Sequence, residues 1–141
     1  MLDINKQKMK YSKHGQRITV YERDDDGNIK YYMDSDGHKI PMIADETIGF
    51  SEPVDFRANI SNKLSEVMVK EFGIDDSSTY VQIVTDKGYL PIKAGDVVWK
   101  RSDVGYDSDG NVDPLTADYT VKGVADEGLT VDLFLLQKVV K

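Results

Sequence analysis

From Gln16 the chain alternates, with Ile18 and Val20 on one face and Thr19 and Tyr21 on the other, the period of two that marks a half-buried strand. Asp24, Asp25, Asp26, Gly27 and Asn28 interrupt it, and an Asp-Gly step supplies the positive φ of a tight hairpin turn. Ile29 to Met33 reads as the return strand. Asp34, Ser35, Asp36 and Gly37 repeat the punctuation, and Lys39 to Ile43 forms a third short strand that Pro41 confines to an edge. Residues 16–43 are thus expected to be a meander. Residues 44–53, with Asp45, Gly49 and Pro53 and no periodicity, read as a connecting loop.

Alternation resumes with Val54, Phe56, Ala58 and Ile60 on one face of one strand. Leu64, Val67, Met68 and Phe72 then follow helical spacing, and Gly73 is placed to cap the C-terminus, so a short helix is favoured, although Val67 and Val69 would also suit a strand. Tyr80 to Val84 is a β-branched strand ended by Asp86, Lys87 and Gly88, while Leu90 and Ile92 bracket Pro91. Asp96 to Arg101 reads as a strand with Val97 and Trp99 on one side and Val98 on the other. Beyond an acidic loop at 102–117, Asp118 to Val124 and Thr130 to Val140 make a final pair around a turn at Ala125 to Gly128. Short strands separated by turn signals predict a mainly β fold, a small β-barrel or sandwich with long loops and at most one or two short helices. The lack of strand-helix-strand repeats disfavours a parallel sheet.

A length of 141 residues fits one domain with a core large enough to fold without staples. The first 20 residues carry Lys6, Lys8, Lys10, Lys13 and Arg17 against Asp3, whereas residues 21–60 carry ten acids against four bases. The division expected is a basic flexible N-terminal arm at 1–15 and a single β-barrel-like domain at 16–141. That arm reads either as a frayed terminus or as a contact for an acidic neighbour. The chain has no cysteine, which removes thiol catalysis, disulfides and thiolate metal sites. Its 25 acids against 18 bases, a net charge of -7, disfavour avid binding to nucleic acid or anionic lipid, because phosphate binding needs Lys and Arg to displace counterions. No apolar run approaches the about 20 residues that span a bilayer, and the first residues lack the apolar stretch of a signal peptide, so neither a membrane association nor export is expected.

Candidate chemistry is sparse. His14 and His38 stand in the basic arm and in a turn, away from any serine or acid at dyad spacing, and phosphate loops, nucleophile elbows and His-Glu-x-x-His strings are missing from the sequence. No enzyme and no cofactor is expected. Asp107, Ser108, Asp109, Gly110, Asn111, Val112 and Asp113 place oxygens at alternate positions as calcium prefers, but the glycine falls fourth, the twelfth residue is Asp118 and the flanks read as strands. Asp, Asn and Gly are also what turns use, so no metal ligands are assigned. Tyr21, Tyr31 and Tyr32 suit cross-strand packing better than base stacking, since their neighbours are aspartates. The loop at 102–117 has Asp103, Asp107, Asp109 and Asp113 and no base. About sixteen structureless residues is long for a compact domain, so it is either a solvated mobile tip or a loop projecting into a channel or against a partner.

The strings PIKAGDVVWKRS and ADYTVKGVADEGLTVDLFLLQKVVK, preceded by ITVYERDDDGNIKYY, ETIGFSEPVDFRANIS and VMVKEFGIDDSSTYVQIVTDKGYLPI, resemble the small minor capsid and head-tail connector proteins of long-tailed double-stranded DNA phages, particularly those of Gram-positive hosts. The resemblance runs from about residue 16 onward, and the order of elements looks like that of the head-completion, or stopper, type. It implies a non-enzymatic virion protein of the phage neck, made in the bacterial cytoplasm. Such a subunit forms a homo-oligomeric ring between portal-adaptor proteins and the tail, and packaged DNA passes through without specific binding. Tail-terminator proteins are the nearest alternative. Neck adaptors are usually helical, unlike this chain. The resemblance implies structural roles for Gly95, Asp96 and Trp99 before the variable loop and for Asp118, Tyr119, Val121 and Gly123 after it. It makes Asp103, Tyr106, Asp107, Asp109 and Asp113 the candidates for a channel-facing gate. A calcium-binding β module built on the three Asp-rich turns is the reading from a different class.

Overall fold

The computed structural model describes residues 6–73 and 79–140. Its strands are β1 (Gln7–Ser12), β2 (His14–Tyr21), β3 (Tyr31–Met33), β4 (Lys39–Pro41), β5 (Ile43–Phe50), β6 (Val54–Ser61), β7 (Tyr80–Asp86), β8 (Val97–Trp99), β9 (Tyr119–Ala125) and β10 (Val131–Lys138), with one α-helix, α1 (Glu66–Phe72). Six of the strands close into an antiparallel barrel in the order β1-β6-β7-β10-β9-β8. The expected small β-barrel is therefore the observed fold.

Alternation decides which side chains fill it. Met9, Phe56, Ala58, Val81, Ile83, Val98, Val121, Phe134 and Leu136 form one buried cluster, joined by Leu90 and Ile92 from either side of Pro91. Each large apolar side chain withdrawn from water there contributes about 1.5–3 kcal/mol before conformational entropy is counted. Val97 and Trp99 point the other way from Val98 and build a second cluster outside the barrel wall with Val112 and Ala117. A third cluster lies under α1, where Met68 packs with Leu135 and Ala125. The helix is held at both ends. Ser65 accepts a bond from the Met68 amide and gives its own amide to Gln82 Oε1 on β7, and Gly73 closes the helix at φ 62°.

Four expectations need correction. The N-terminal segment is not an arm from Gln7 onward: β1 is a barrel strand, paired with β6 and β8, and Met9 is only 3% exposed. Its lysines alternate with inward Met9 and Tyr11, so charge concealed a strand; residues 1–5 lie outside the described residues. Residues 44–53 are not a loop, because β5 fills most of them. β5 pairs with β2 along its length, but all its residues except Gly49 and Phe50 are exposed, so no burial pattern marks it. The meander at 16–43 has different partners, since β2 pairs with β5 and the short β3 and β4 pair with each other. The strand expected at 96–101 is limited to Val97–Trp99.

Together these strands make one long hairpin. β1 continues into β2 and β5 into β6, with a joint at Lys13 and Ser51 where the Ser51 amide donates to the Lys13 carbonyl and Ser51 Oγ accepts from the Lys13 amide. The inner half belongs to the barrel. The outer half, β2 and β5, is a two-stranded ribbon that leaves it and extends roughly 26 Å at the usual strand rise.

Candidate functional site

The ribbon forks at its far end. The Glu22 amide donates to the Met42 carbonyl, Lys30 to Glu22 and Met42 to Lys30, a cyclic junction from which two small hairpins depart. One turns at Asp24–Asn28 and the other, β3 and β4, at Asp34–His38. A third hairpin within the 102–117 excursion turns at Asp107–Asn111 behind a Tyr106–Val112 bridge. All three share one geometry. The amide of each glycine, Gly27, Gly37 or Gly110, donates to the carbonyl of the aspartate three residues earlier, and that aspartate's Oδ1 accepts from the amides two and four residues on. The glycines have φ of 81–84°, the left-handed position such a turn requires.

The 102–117 excursion is consequently ordered rather than structureless. Val112 buries against Trp99, and Asp113 caps a short 3-10 turn at Pro114–Thr116 by accepting from the Leu115 amide. Thr116 Oγ1 takes bonds from the Trp99 indole and the Gly105 amide. Of the gate candidates, Asp107 is occupied by its own turn and Asp113 by its cap, while Tyr106 remains half exposed. Asp109 lies against Arg23, whose guanidinium also reaches the Ser108 carbonyl, and Asn111 Nδ2 donates to the Thr19 carbonyl. Asp103 is apart from these, on the rim of a cleft in the barrel wall. The excursion and the ribbon thus form one braced projection.

Of the seven residues given structural roles, Asp96 and Asp118 tie down the excursion's two roots. Gly95 turns at φ 96°, and buried Asp96 accepts from the His14 and Lys93 amides, joining the start of β2 to the start of β8. Asp118 accepts from the amides of Lys100, Arg101 and Ser102 and from Ser102 Oγ. Burial pushes its carboxyl upward, but the bonds from Ser102, Arg101 and Lys100 outweigh that and hold it far below the usual carboxylate range. Tyr119 is shifted up by burial and then by Asp118, Val121 is in the barrel core, and Gly123 lies under the Phe72 ring.

A concave cleft of about 810 Å³ crosses the outside of the barrel at β1, β6 and the end of β8. Lys6, Lys8, Lys10, Arg57, Lys100 and Arg101 line it, with Asp55 and Asp103 as its acids. Lys10 pairs with Asp55 at 3.3 Å, and Tyr89 Oη accepts from the Arg57 amide. Among the described residues Lys8, Arg57, Lys100 and Arg101 make no ion pair. Burial and then the neighbouring Arg101 lower the pKa of Lys100.

His14 packs edge-on to Phe50, and His38 lies 3.3 Å from Asp34 in its turn. Asp34, Asp36 and His38 bring potential ligand atoms within 4.8 Å of one another on an exposed tip. Among the described residues no helix is long and apolar enough to cross a membrane. No protein-family model, curated protein or solved structure gives a significant match to this chain.

Sequence reading missed the fork, the Arg23 brace and the basic cleft. The repeated Asp-x-Asp-Gly string signalled the fork's turns. The cleft had no local signal, because it gathers bases from three distant segments.

Proposed function

We propose that this chain is a structural subunit of the neck of a long-tailed phage, of the head-completion type, which assembles into a ring continuing the DNA channel between the portal-adaptor proteins and the tail. The observation that carries the reading is the forked ribbon. A two-stranded hairpin is at best marginally stable alone in water, yet this one extends from the barrel with Tyr31, Tyr32, Met33, Ile43 and Ile48 exposed. Such a projection fits a subunit whose outer surfaces are completed by neighbours. A barrel filled by side chains suits a scaffold, and the net charge of -7 suits a conduit through which DNA slides without being held. The gate is proposed for the ribbon and the 102–117 excursion together, because Arg23 and Asn111 join them.

The test is to label purified virions with a gold-conjugated antibody against the chain. Label at the junction of head and tail is expected. Label along the tail or over the head, or unlabelled virions, would overturn the reading.

A further inference from the structure

Two surfaces of this chain carry opposite charge and are not satisfied by each other. The barrel cleft is lined by Lys8, Arg57, Lys100 and Arg101, which make no ion pair among the described residues, in a chain where acids outnumber bases 25 to 18. The fork is the reverse: residues 22–46 hold eight acids against Arg23, Lys30 and Lys39. Asp24 and Asp34 spend Oδ1 on their own turns. Asp25, Asp26 and Asp36 are exposed and make no ion pair among the described residues. The fork stands at the end of the ribbon, and its contacts outside itself run through Arg23 to Ser108 and Asp109 of the excursion, with no ion pair between fork and cleft among the described residues.

We infer that the basic cleft receives the acidic hairpin tips of a second copy of this chain. The contact is heterologous, cleft to tip, and leaves a pair of subunits with one unfilled tip on the first and one unfilled cleft on the second, the condition for a ring when the rotation closes. This rests on the ring-subunit reading above and names the surface that would make the ring. Double-stranded DNA is the competing occupant. It is disfavoured by the chain's net charge of -7, whereas one hairpin tip presents the adjacent, exposed Asp25 and Asp26 carboxylates on a narrow turn that a concave site can receive. Lys100, whose pKa burial and then Arg101 lower, gains from an incoming carboxylate beside it.

The test is sedimentation of the full chain at low salt, up to the about millimolar subunit concentrations that a tethered assembly imposes. Self-association is expected, and about 1 M salt should abolish it, since charges are then screened beyond about 3 Å. The double variant Lys8→Glu with Arg101→Glu, and separately Asp25→Lys with Asp26→Lys, should each weaken association about tenfold or more. A chain carrying all four reversals should regain it. Matching thermal melts would show that each variant folds. A chain monomeric throughout, or variants that associate like the parent, would overturn the inference. So would binding of a short DNA duplex that the cleft reversal abolishes while self-association persists. None of these results moves the antibody label, so the neck reading stands or falls separately.

Discussion

Arg23 Nη2 lies 2.7 Å from Asp109 Oδ1, so a residue at the root of the fork holds the tip of an excursion 86 positions away. The pair is largely shielded, with side-chain exposures of 26% and 11%, and the same guanidinium also bonds Gly27 and Ser108 carbonyls. Arg23→Ala should cost about 1 kcal/mol, the scale of a partly exposed charge-assisted contact. Hydrogen exchange should accelerate at Gly110 and Asn111 and at the Thr19 side of the ribbon together. Unchanged exchange at the excursion would mean that the brace is not what orders it.

Asp118 ties the end of β8 to the start of β9 through four donated bonds. Its folded pKa lies below the ordinary 3.8, so its contribution to stability is complete above that value and is lost as pH falls through the lower folded value. Acid titration of stability should therefore show a decline below about pH 4. Asp118→Asn, which replaces an acceptor oxygen by a donor facing amides, should cost about 1–3 kcal/mol at neutral pH and flatten that decline. An equally steep acid decline in the variant would assign it to other carboxylates.

A Cβ on Gly123 would fall 2.2 Å from Phe72 Cε1 and 2.4 Å from Cζ. Gly123→Ala should cost about 1–3 kcal/mol by pushing the end of α1 off the barrel. In a Phe72→Leu background the penalty should shrink, which a double-mutant cycle measures directly. Equal penalties in both backgrounds would mean that the ring is not the obstacle.

The barrel was legible because its inward residues alternate. Val54 to Ile60 and Tyr119 to Ala125 expose their period in sequence, Val97 to Trp99 and Leu133 to Leu136 read as strands through unbroken apolar runs, and α1 announced itself through Met68 and the capping Gly73. The ribbon was not legible for the same reason in reverse. β5 has exposed residues on both faces, so Ile43 to Ile48 carry no burial rhythm to read. The Asp-rich turns were visible as turns, but the sequence has no way to show that Arg23 meets Asp109. Nor can it show that Lys8, Arg57 and Arg101 share one cleft, since strand closure alone brings them together.

The three Asp-Gly turns use their first aspartate to organise backbone amides, and Asp109 is paired with Arg23. Adding calcium should leave the melting temperature unchanged. A melting rise that grows with calcium concentration would indicate a folded-state ligand and favour the calcium-binding β module instead.

The most direct test is to inactivate the gene in the phage that, on the proposed neck reading, encodes this chain and image the lysate by electron microscopy, scoring heads, tails and DNA content. The neck reading predicts separate tails beside heads that have lost their DNA. Intact infectious particles would contradict it.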